Sequence, residues 1–365
     1  MTPAPRLLFW ETTAACNLRC IHCRRLDLLD HPAPDQLSTE EGLGLIDDLA
    51  DLGVGVLVFS GGEPLVRTDI ETLVRRAVSR GMAAAVATNG TLVDAARAKA
   101  LGSWGVRRVS VSLDGSTAQT HEILRGPGSF ARSVEGLRVL RSAGISTQIN
   151  FTVTRKNSHQ VDEMYELTRN LGADALHVFL LVPVGCGAEI PAEVRLDDRE
   201  TEGILHRLAD FIDAELRRPE GDRLFVKATC APQFHRIVLQ RKLKPPVSGR
   251  SGPMSAFTKG CLAGTGIAFV SHRGEVYPCG YLPIVAGSVR ERPFSEIWRD
   301  SAVWSSFRGE ELHGKCGACA FKFVCMGCRA RAWAEDGDIL AEDPDCAYVP
   351  KNWTGEAALS GAPEK

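Results

Sequence analysis

Three thiols near the start of the chain have the spacing of metal ligands. Cys16, Cys20 and Cys23 fall in Ala15-Cys-Asn-Leu-Arg-Cys-Ile-His-Cys23, a Cys-x3-Cys-x2-Cys arrangement just after the apolar run Leu7 to Trp10. A disulfide would leave one of them over, and zinc would want a fourth ligand close by. A cubane iron-sulfur cluster can use three thiolates and keep its fourth iron open to a small molecule. A second cysteine field lies toward the other end: Cys261, Gly274-x4-Cys279, Cys316-x2-Cys319-x5-Cys325-x2-Cys328 and Cys346. Spacing alone would allow two zinc sites there. The triplet upstream favours iron and sulfide.

These residues need a scaffold, and the pattern supplies one. Short β-branched runs at Leu7–Trp10, Val54–Phe59, Ala83–Thr88, Arg107–Leu113, Thr147–Thr154 and Leu176–Leu181 read as strands. Helical stretches alternate with them at Thr39–Leu52, Asp69–Arg80, Asp94–Leu101, Phe130–Ala143 and His159–Leu171, and a further helix at 198–217 leads out. Ser38 with Glu41 forms a capping box, and Gly53, Gly81, Gly144 and Gly172 each follow a helix where a left-handed residue is wanted. Strands joined by helical crossovers form a parallel sheet. Six units are too few for a closed eight-stranded barrel, so an open α/β partial barrel is expected, with its chemistry at the carboxyl ends of the strands.

Polar motifs fall at those ends. Ser60-Gly-Gly-Glu-Pro64 follows the second strand, and its paired glycines, Gly61 and Gly62, allow close backbone approach and free carbonyls. Glu63 reads more readily as a turn residue than as a catalytic acid. Thr88-Asn89-Gly90 follows the third strand and Ser112-Leu-Asp-Gly115 ends the fourth. Asn89, Ser112 and Asp114 can hydrogen-bond a nucleoside, although turn formation and capping use the same residues. Asn150 is an amide within an otherwise apolar strand and needs partners.

Together these motifs resemble the radical S-adenosylmethionine (SAM) superfamily with a SPASM extension, over residues 7 to about 350. The resemblance implies a partial (β/α)6 TIM-like barrel of the radical SAM type with a C-terminal SPASM iron-sulfur domain. It places a [4Fe-4S] cluster on Cys16, Cys20 and Cys23, its open iron holding the amino and carboxylate groups of SAM. Gly61, Gly62, Glu63, Asn89, Ser112, Asp114 and Asn150 become SAM-binding candidates, and Arg125 resembles the arginine that pairs with the SAM carboxylate. Many members place an arginine where Cys186 stands. One or two auxiliary [4Fe-4S] clusters are implied: an outer one on Cys316, Cys319, Cys325 and Cys346, and an inner one on Cys261, Cys279 and Cys328. The inner set lacks a fourth thiolate. Cys230 either supplies it or is a lone buried thiol. The domains expected are the barrel (1–217), a bridging region (218–259), the SPASM domain (260–350) and an unstructured tail (351–365), with a loop or boundary at 241–253.

The resemblance extends to a branch of the family that builds haem. Lys227-Ala-Thr-Cys-Ala-Pro232, Gly260-Cys-Leu-Ala-Gly-Thr-Gly266, Pro278-Cys-Gly-Tyr-Leu282, Phe179-Leu-Leu-Val-Pro183 and Cys328-Arg-Ala-Arg-Ala332 carry it. The implied reaction is oxidative decarboxylation of two tetrapyrrole propionates to vinyl groups. Lys227, His235 and Arg236 are candidate cationic partners for the propionates. The alternative substrate is a ribosomally made peptide. Peptide maturases often carry an N-terminal winged-helix domain, and only a few residues precede the first strand here. A non-catalytic metal scaffold would need neither the Gly-Gly-Glu-Pro turn nor Arg125.

Composition sets the remaining bounds. The 365 residues carry a net charge of −2 and are 44% hydrophobic, enough for a large core. That balance favours neither nucleic acid nor an acidic membrane surface as a partner. The apolar runs are too short to span a bilayer. Twelve cysteines gathered at ligand spacings suit a reducing cytoplasm. A radical enzyme of this type also needs a low-potential electron donor such as ferredoxin or flavodoxin.

Overall fold

A computed structural model describes residues 3–25, 30–244, 259–309 and 311–355. The remainder of the loop expected at 241–253, and the tail from 356 onward, lie outside the described residues. The first part of the chain alternates strand and helix: β1 (Leu7–Glu11), α1 (Thr39–Leu52), β2 (Val56–Ser60), α2 (Ile70–Ser79), β3 (Ala83–Thr88), α3 (Ala95–Ser103) and β4 (Arg108–Ser112). Two helices follow, α4 (Ala118–Arg125) and α5 (Ser129–Ser142), then β5 (Ser146–Val153), α6 (Val161–Asn170), β6 (Ala175–Leu180) and α7 (Asp198–Leu216). The chain continues through β7 (Phe225–Thr229), α8 (Phe234–Gln240), β8 (Ile267–Val270), β9 (Glu275–Tyr277), β10 (Gly287–Ser288) and α9 (Phe294–Asp300). Four short helices complete it: α10 (Ser305–Arg308), α11 (Gly314–Ala318), α12 (Lys322–Cys325) and α13 (Arg329–Asp336). No described helix is long and apolar enough to cross a membrane.

Local signals set the helix ends. The Ser38 hydroxyl accepts from the Glu41 amide at 3.2 Å while the Glu41 carboxylate accepts from the Ser38 amide at 2.7 Å. Such a cap contributes about 1 kcal/mol. Gly53, the residue that ends α1, has φ +92°, a conformation that costs other L-residues more.

All ten strands form one open sheet in the order β10-β9-β8-β1-β2-β3-β4-β5-β6-β7. From β1 to β7 each strand lies parallel to the next. The parallel run therefore exceeds the six strands read from the sequence. Phe225–Thr229, within the stretch expected to bridge, pairs with β6, and β8 pairs in parallel with β1 on the other side. Both are short and follow irregular segments, so pairing across the sheet defines them more than local pattern does.

The two faces of the sheet differ. Leu8, Trp10, Leu57, Phe59, Val109, Val111, Ile149, Phe151, Leu176 and Val178 belong to the main core, packed under the helices. Alternate residues face the concave side. That side is apolar on the first three strands, where Val56, Val58 and Ala85 cluster with Leu7, Phe9, Ala83 and Ala87. On β4 to β7 it carries Ser110, Ser112, Gln148, Asn150, His177 and Lys227. A concave surface half apolar and half polar results.

Candidate active site

The loop carrying Cys16, Cys20 and Cys23 leaves the carboxyl end of β1 and is braced on several sides. Gly62 N–H donates to the Thr13 carbonyl, and Glu63 N–H to that of Ala15, both at 2.8 Å. A Cβ on Gly62 would lie 2.3 Å from the Ala15 carbonyl oxygen, and one on Gly61 2.6 Å from that of Thr13. Here the close approach allowed by the paired glycines is to the protein's own cysteine loop. From the far edge, Gly185 approaches so closely that a Cβ would meet the Arg24 carbonyl oxygen at 2.0 Å. Beside it the Cys186 thiol donates to the Arg25 carbonyl at 2.7 Å.

Glu63 is fully buried, and its carboxylate accepts from the Thr88 hydroxyl and the Asn89 amide at 2.7 Å and from the Leu65 amide at 3.2 Å. Burial nevertheless raises its pKa. These bonds make it a turn-forming residue that joins the ends of β2 and β3. Asn89 Nδ2 donates to Asn17 Oδ1 at 2.8 Å, linking the third strand to the residue after Cys16. Ser112 and Asn150 are register partners on β4 and β5, and Asn150 accepts from Gln148 Nε2 at 2.7 Å.

Arg125, at the end of α4, donates from Nε to Asp114, and its Nη1 lies 3.8 Å from Cys20 Sγ. Asp114 is completely buried, with His22 Nε2 3.1 Å from Oδ2 and the Thr152 amide donating to Oδ1 at 2.7 Å. Burial alone would raise its pKa, but Arg125 and then His22 hold it well below the ordinary carboxylate range. The carboxylate thus holds Arg125 and His22 beside the thiols. Desolvation pushes the Cys20 thiol up to about 11, and Arg125 opposes that shift. The Leu18 amide points at Cys16 Sγ from 3.5 Å. A cationic guanidinium and an amide directed at sulfur fit thiolates holding an iron-sulfur cluster.

The second cysteine field resolves into two groups. Cys316, Cys319, Cys325 and Cys346 line one small pocket with Phe321, Tyr348 and Arg236. Amides of Phe321 and Gly327 approach Cys319 and Cys325 Sγ at 3.4 Å, and Arg329 Nη2 approaches Cys316 Sγ at 3.8 Å. Cys230, Cys261 and Cys279 pack around the buried Cys328 in a separate apolar cluster. Burial pushes the Cys230 thiol well up, and the neighbouring Cys328, Cys279 and Cys261 push it the same way. Cys230 has φ +55°, a left-handed conformation sparsely used by residues with a side chain. Cys328 N–H donates to Asp343 at 2.7 Å, and Asp343 is fully buried against Arg331. Four thiols around each site, with donors aimed at sulfur or held beside it, suit cluster chemistry. Among the described residues no three His, Cys, Asp or Glu converge on a single-ion site.

Comparison with known proteins agrees with this arrangement. Residues 10–168 match the model of the Radical SAM superfamily, and residues 261–320 match an iron-sulfur cluster-binding domain, SPASM. The AdoMet-dependent heme synthase of Methanosarcina barkeri is 45% identical over 96% of this chain and 98% of its own. The chain belongs to the radical SAM superfamily. It is a radical SAM enzyme whose cofactors are a SAM-binding [4Fe-4S] cluster and auxiliary iron-sulfur clusters. A second relative, the AdoMet-dependent heme synthase of Nitratidesulfovibrio vulgaris, is 42% identical over 97% of this chain and 95% of its own. Among solved structures, Streptococcus suis SuiB bound to precursor peptide SuiA superposes with a TM-score of 0.74 at 17% identity, covering 95% of this chain and 76% of that one. That likeness shows a shared fold.

Three residues of this radical SAM site escape a sequence reading. Glu11 ends β1 and, buried, accepts from Arg24 Nη2 at 2.6 Å while also pairing with Arg25 and His272. Its only sequence signal is an acid closing an apolar strand. His22 lies between two ligand candidates and reads as filler. Tyr281 packs with the inner thiol cluster, and its pKa, raised by burial and then by Cys230, also responds to Arg24 and Cys23.

Proposed function

We propose that this radical SAM enzyme oxidatively decarboxylates two propionate side chains of an iron-coproporphyrin to vinyl groups, forming haem b. The observation that carries the reading is the 45% identity with an AdoMet-dependent heme synthase, spread over 96% of this chain. The half-apolar, half-polar concave face suits a flat macrocycle with anionic side chains. The SuiB likeness is one of fold and does not favour a peptide substrate.

Cys16, Cys20 and Cys23 would hold the SAM cluster, Cys316, Cys319, Cys325 and Cys346 the outer cluster, and Cys230, Cys261, Cys279 and Cys328 the inner one. When bound and reduced, the first cluster with SAM supplies a 5′-deoxyadenosyl radical able to take hydrogen from an unactivated carbon. The protein's part is to position and to exclude water. Arg125, fixed by Asp114, offers a guanidinium to the SAM carboxylate. Glu63 shapes the turn whose carbonyls face the SAM amine, and Asn89, Ser112 and Asn150 line the place of its nucleoside. Losing hydrogen and carbon dioxide leaves one electron to be removed from the substrate. Of the inner thiols, Cys230 directly follows β7 and packs with the other three. A low-potential donor such as ferredoxin or flavodoxin and a cytoplasmic setting complete the reading.

The test is anaerobic incubation of reconstituted protein with SAM, reductant and iron-coproporphyrin, followed by mass analysis. Loss of both propionate carboxyls with formation of 5′-deoxyadenosine is expected. Deoxyadenosine without any change in the pigment would overturn the assignment.

A further inference from the structure

Among the described residues, the concave face carries a cation that no carboxylate pairs with. Lys227 is the third residue of β7, and its neighbours Val226 and Ala228 belong to the core on the opposite side. Its side chain therefore faces the concavity. Burial lowers its pKa, the charge of Arg6 lowers it further, and the Cys230 thiol opposes that shift.

Register gives it a partner. His177 on β6 is opposite Lys227, Asn150 on β5 is opposite His177, and Ser112 on β4 is opposite Asn150. The four form one row across adjacent strands, about 5 Å apart from one to the next. Ser112 and Asn150 are SAM candidates, and Cys230 follows at the other end, three residues after Lys227. His177 Nδ1 lies 3.0 Å from Gln148 Nε2, which occupies one ring nitrogen. The other, Nε2, is buried without a partner. Burial and nearby Lys227 hold this imidazole neutral. With Nδ1 accepting from the amide, Nε2 carries the hydrogen and is a donor.

We propose that Lys227 and His177 together bind a carboxylate of the substrate, setting it between the SAM pocket and the inner thiols. The ammonium supplies the charge and the Nε2–H a directed hydrogen bond, so one propionate satisfies both. Arg236, also a candidate from sequence, is already engaged by Glu202 at 2.6 Å and stacks on Tyr348. This assignment rests on the haem reading for the identity of the acid.

The test titrates iron-coproporphyrin, and separately its fully methyl-esterified form, into anaerobic holoenzyme, with binding followed by absorbance. Lys227→Met keeps the length of the side chain and removes the charge. Its affinity for the free acid should fall about tenfold or more while its affinity for the ester stays that of wild type. His177→Phe should weaken the acid severalfold, and His177→Gln should restore most of the loss. Iron content should be unchanged in all three. If Lys227→Met fails to retain iron, the histidine pair carries the test. Wild-type affinity for the acid in the variants, or equal losses for acid and ester, would overturn the proposal. Wild-type protein that binds neither pigment would overturn the haem reading, and this inference with it.

Discussion

His272 Nδ1 lies 2.9 Å from Glu11 Oε2, joining the end of β1 to a turn that follows it by 261 residues. The same carboxylate holds Arg24 and Arg25, the two residues after Cys23. Glu11→Gln would leave buried guanidinium charge uncompensated, a change that costs about 3–5 kcal/mol. A lower midpoint in thermal unfolding, with poor cluster retention on Cys16, Cys20 and Cys23, is expected. An unchanged midpoint would remove Glu11 from that role.

The same residue sets an acid dependence. Burial raises the Glu11 pKa, yet Arg24, His272 and Arg25 outweigh burial and hold it well below its ordinary value of 4.5. A carboxylate depressed on folding stabilises fully above its unfolded pKa and loses that contribution as pH falls toward the folded value. Asp114 behaves alike, below an ordinary 3.8. Stability should therefore hold steady above about pH 5 and fall progressively below it, as chemical denaturation at a series of pH values would read. Glu11→Gln should flatten part of that slope.

Arg125 and Asp114 are eleven residues apart and act as one unit. Arg125→Ala should weaken SAM binding about tenfold to a hundredfold, the range for a charge-assisted pair. Asp114→Asn should reproduce much of this loss by releasing the guanidinium. Calorimetric titration of SAM into each variant and the double variant measures the coupling, and purely additive losses would contradict it.

Gly62→Ala places a methyl group 2.3 Å from the Ala15 carbonyl oxygen, a contact that only backbone movement relieves. Overpacking of this kind costs about 1–3 kcal/mol. Iron content and SAM cleavage should fall together, whereas the auxiliary iron should persist. Normal SAM cleavage in this variant would show that the cysteine loop tolerates the shift.

Much of this was legible from sequence. Ser38 with Glu41, and the glycines after α1, α2, α5 and α6, mark helix ends because capping is local chemistry. The cysteine spacings were equally plain. Less legible was anything defined by a distant partner. β7 and β8 are strands because β6 and β1 accept them. α4, eight residues between two turns, is too short to show a helical period. Glu63 reads as a turn residue, and its bonds to Leu65, Thr88 and Asn89 agree. Asp114 reads as a partner for a nucleoside, and sequence gives no sign that its carboxylate holds Arg125 and His22. Glu11 and His272 carry no motif at all.

Cys230→Ala separates the two halves of the chemistry. The variant should lose iron from the inner site or shift its reduction potential. It should still make 5′-deoxyadenosine, since Cys16, Cys20 and Cys23 are untouched, and release little decarboxylated pigment. Electron paramagnetic resonance with product analysis reads both. Unchanged spectra and full product yield would return Cys230 to an ordinary buried thiol.

The seat of β1 between β2 and β8 imposes an order of events during synthesis. One neighbour, Val56–Ser60, leaves the ribosome soon after β1. The other pairs through Ile267–Val270, and the imidazole that grips Glu11 follows two residues later. Throughout most of translation, then, the strand that launches the Cys16–Cys23 loop has an open edge and an unpinned end. Iron delivered at that time would meet a pliable loop, and the chain's last third would close over it afterward.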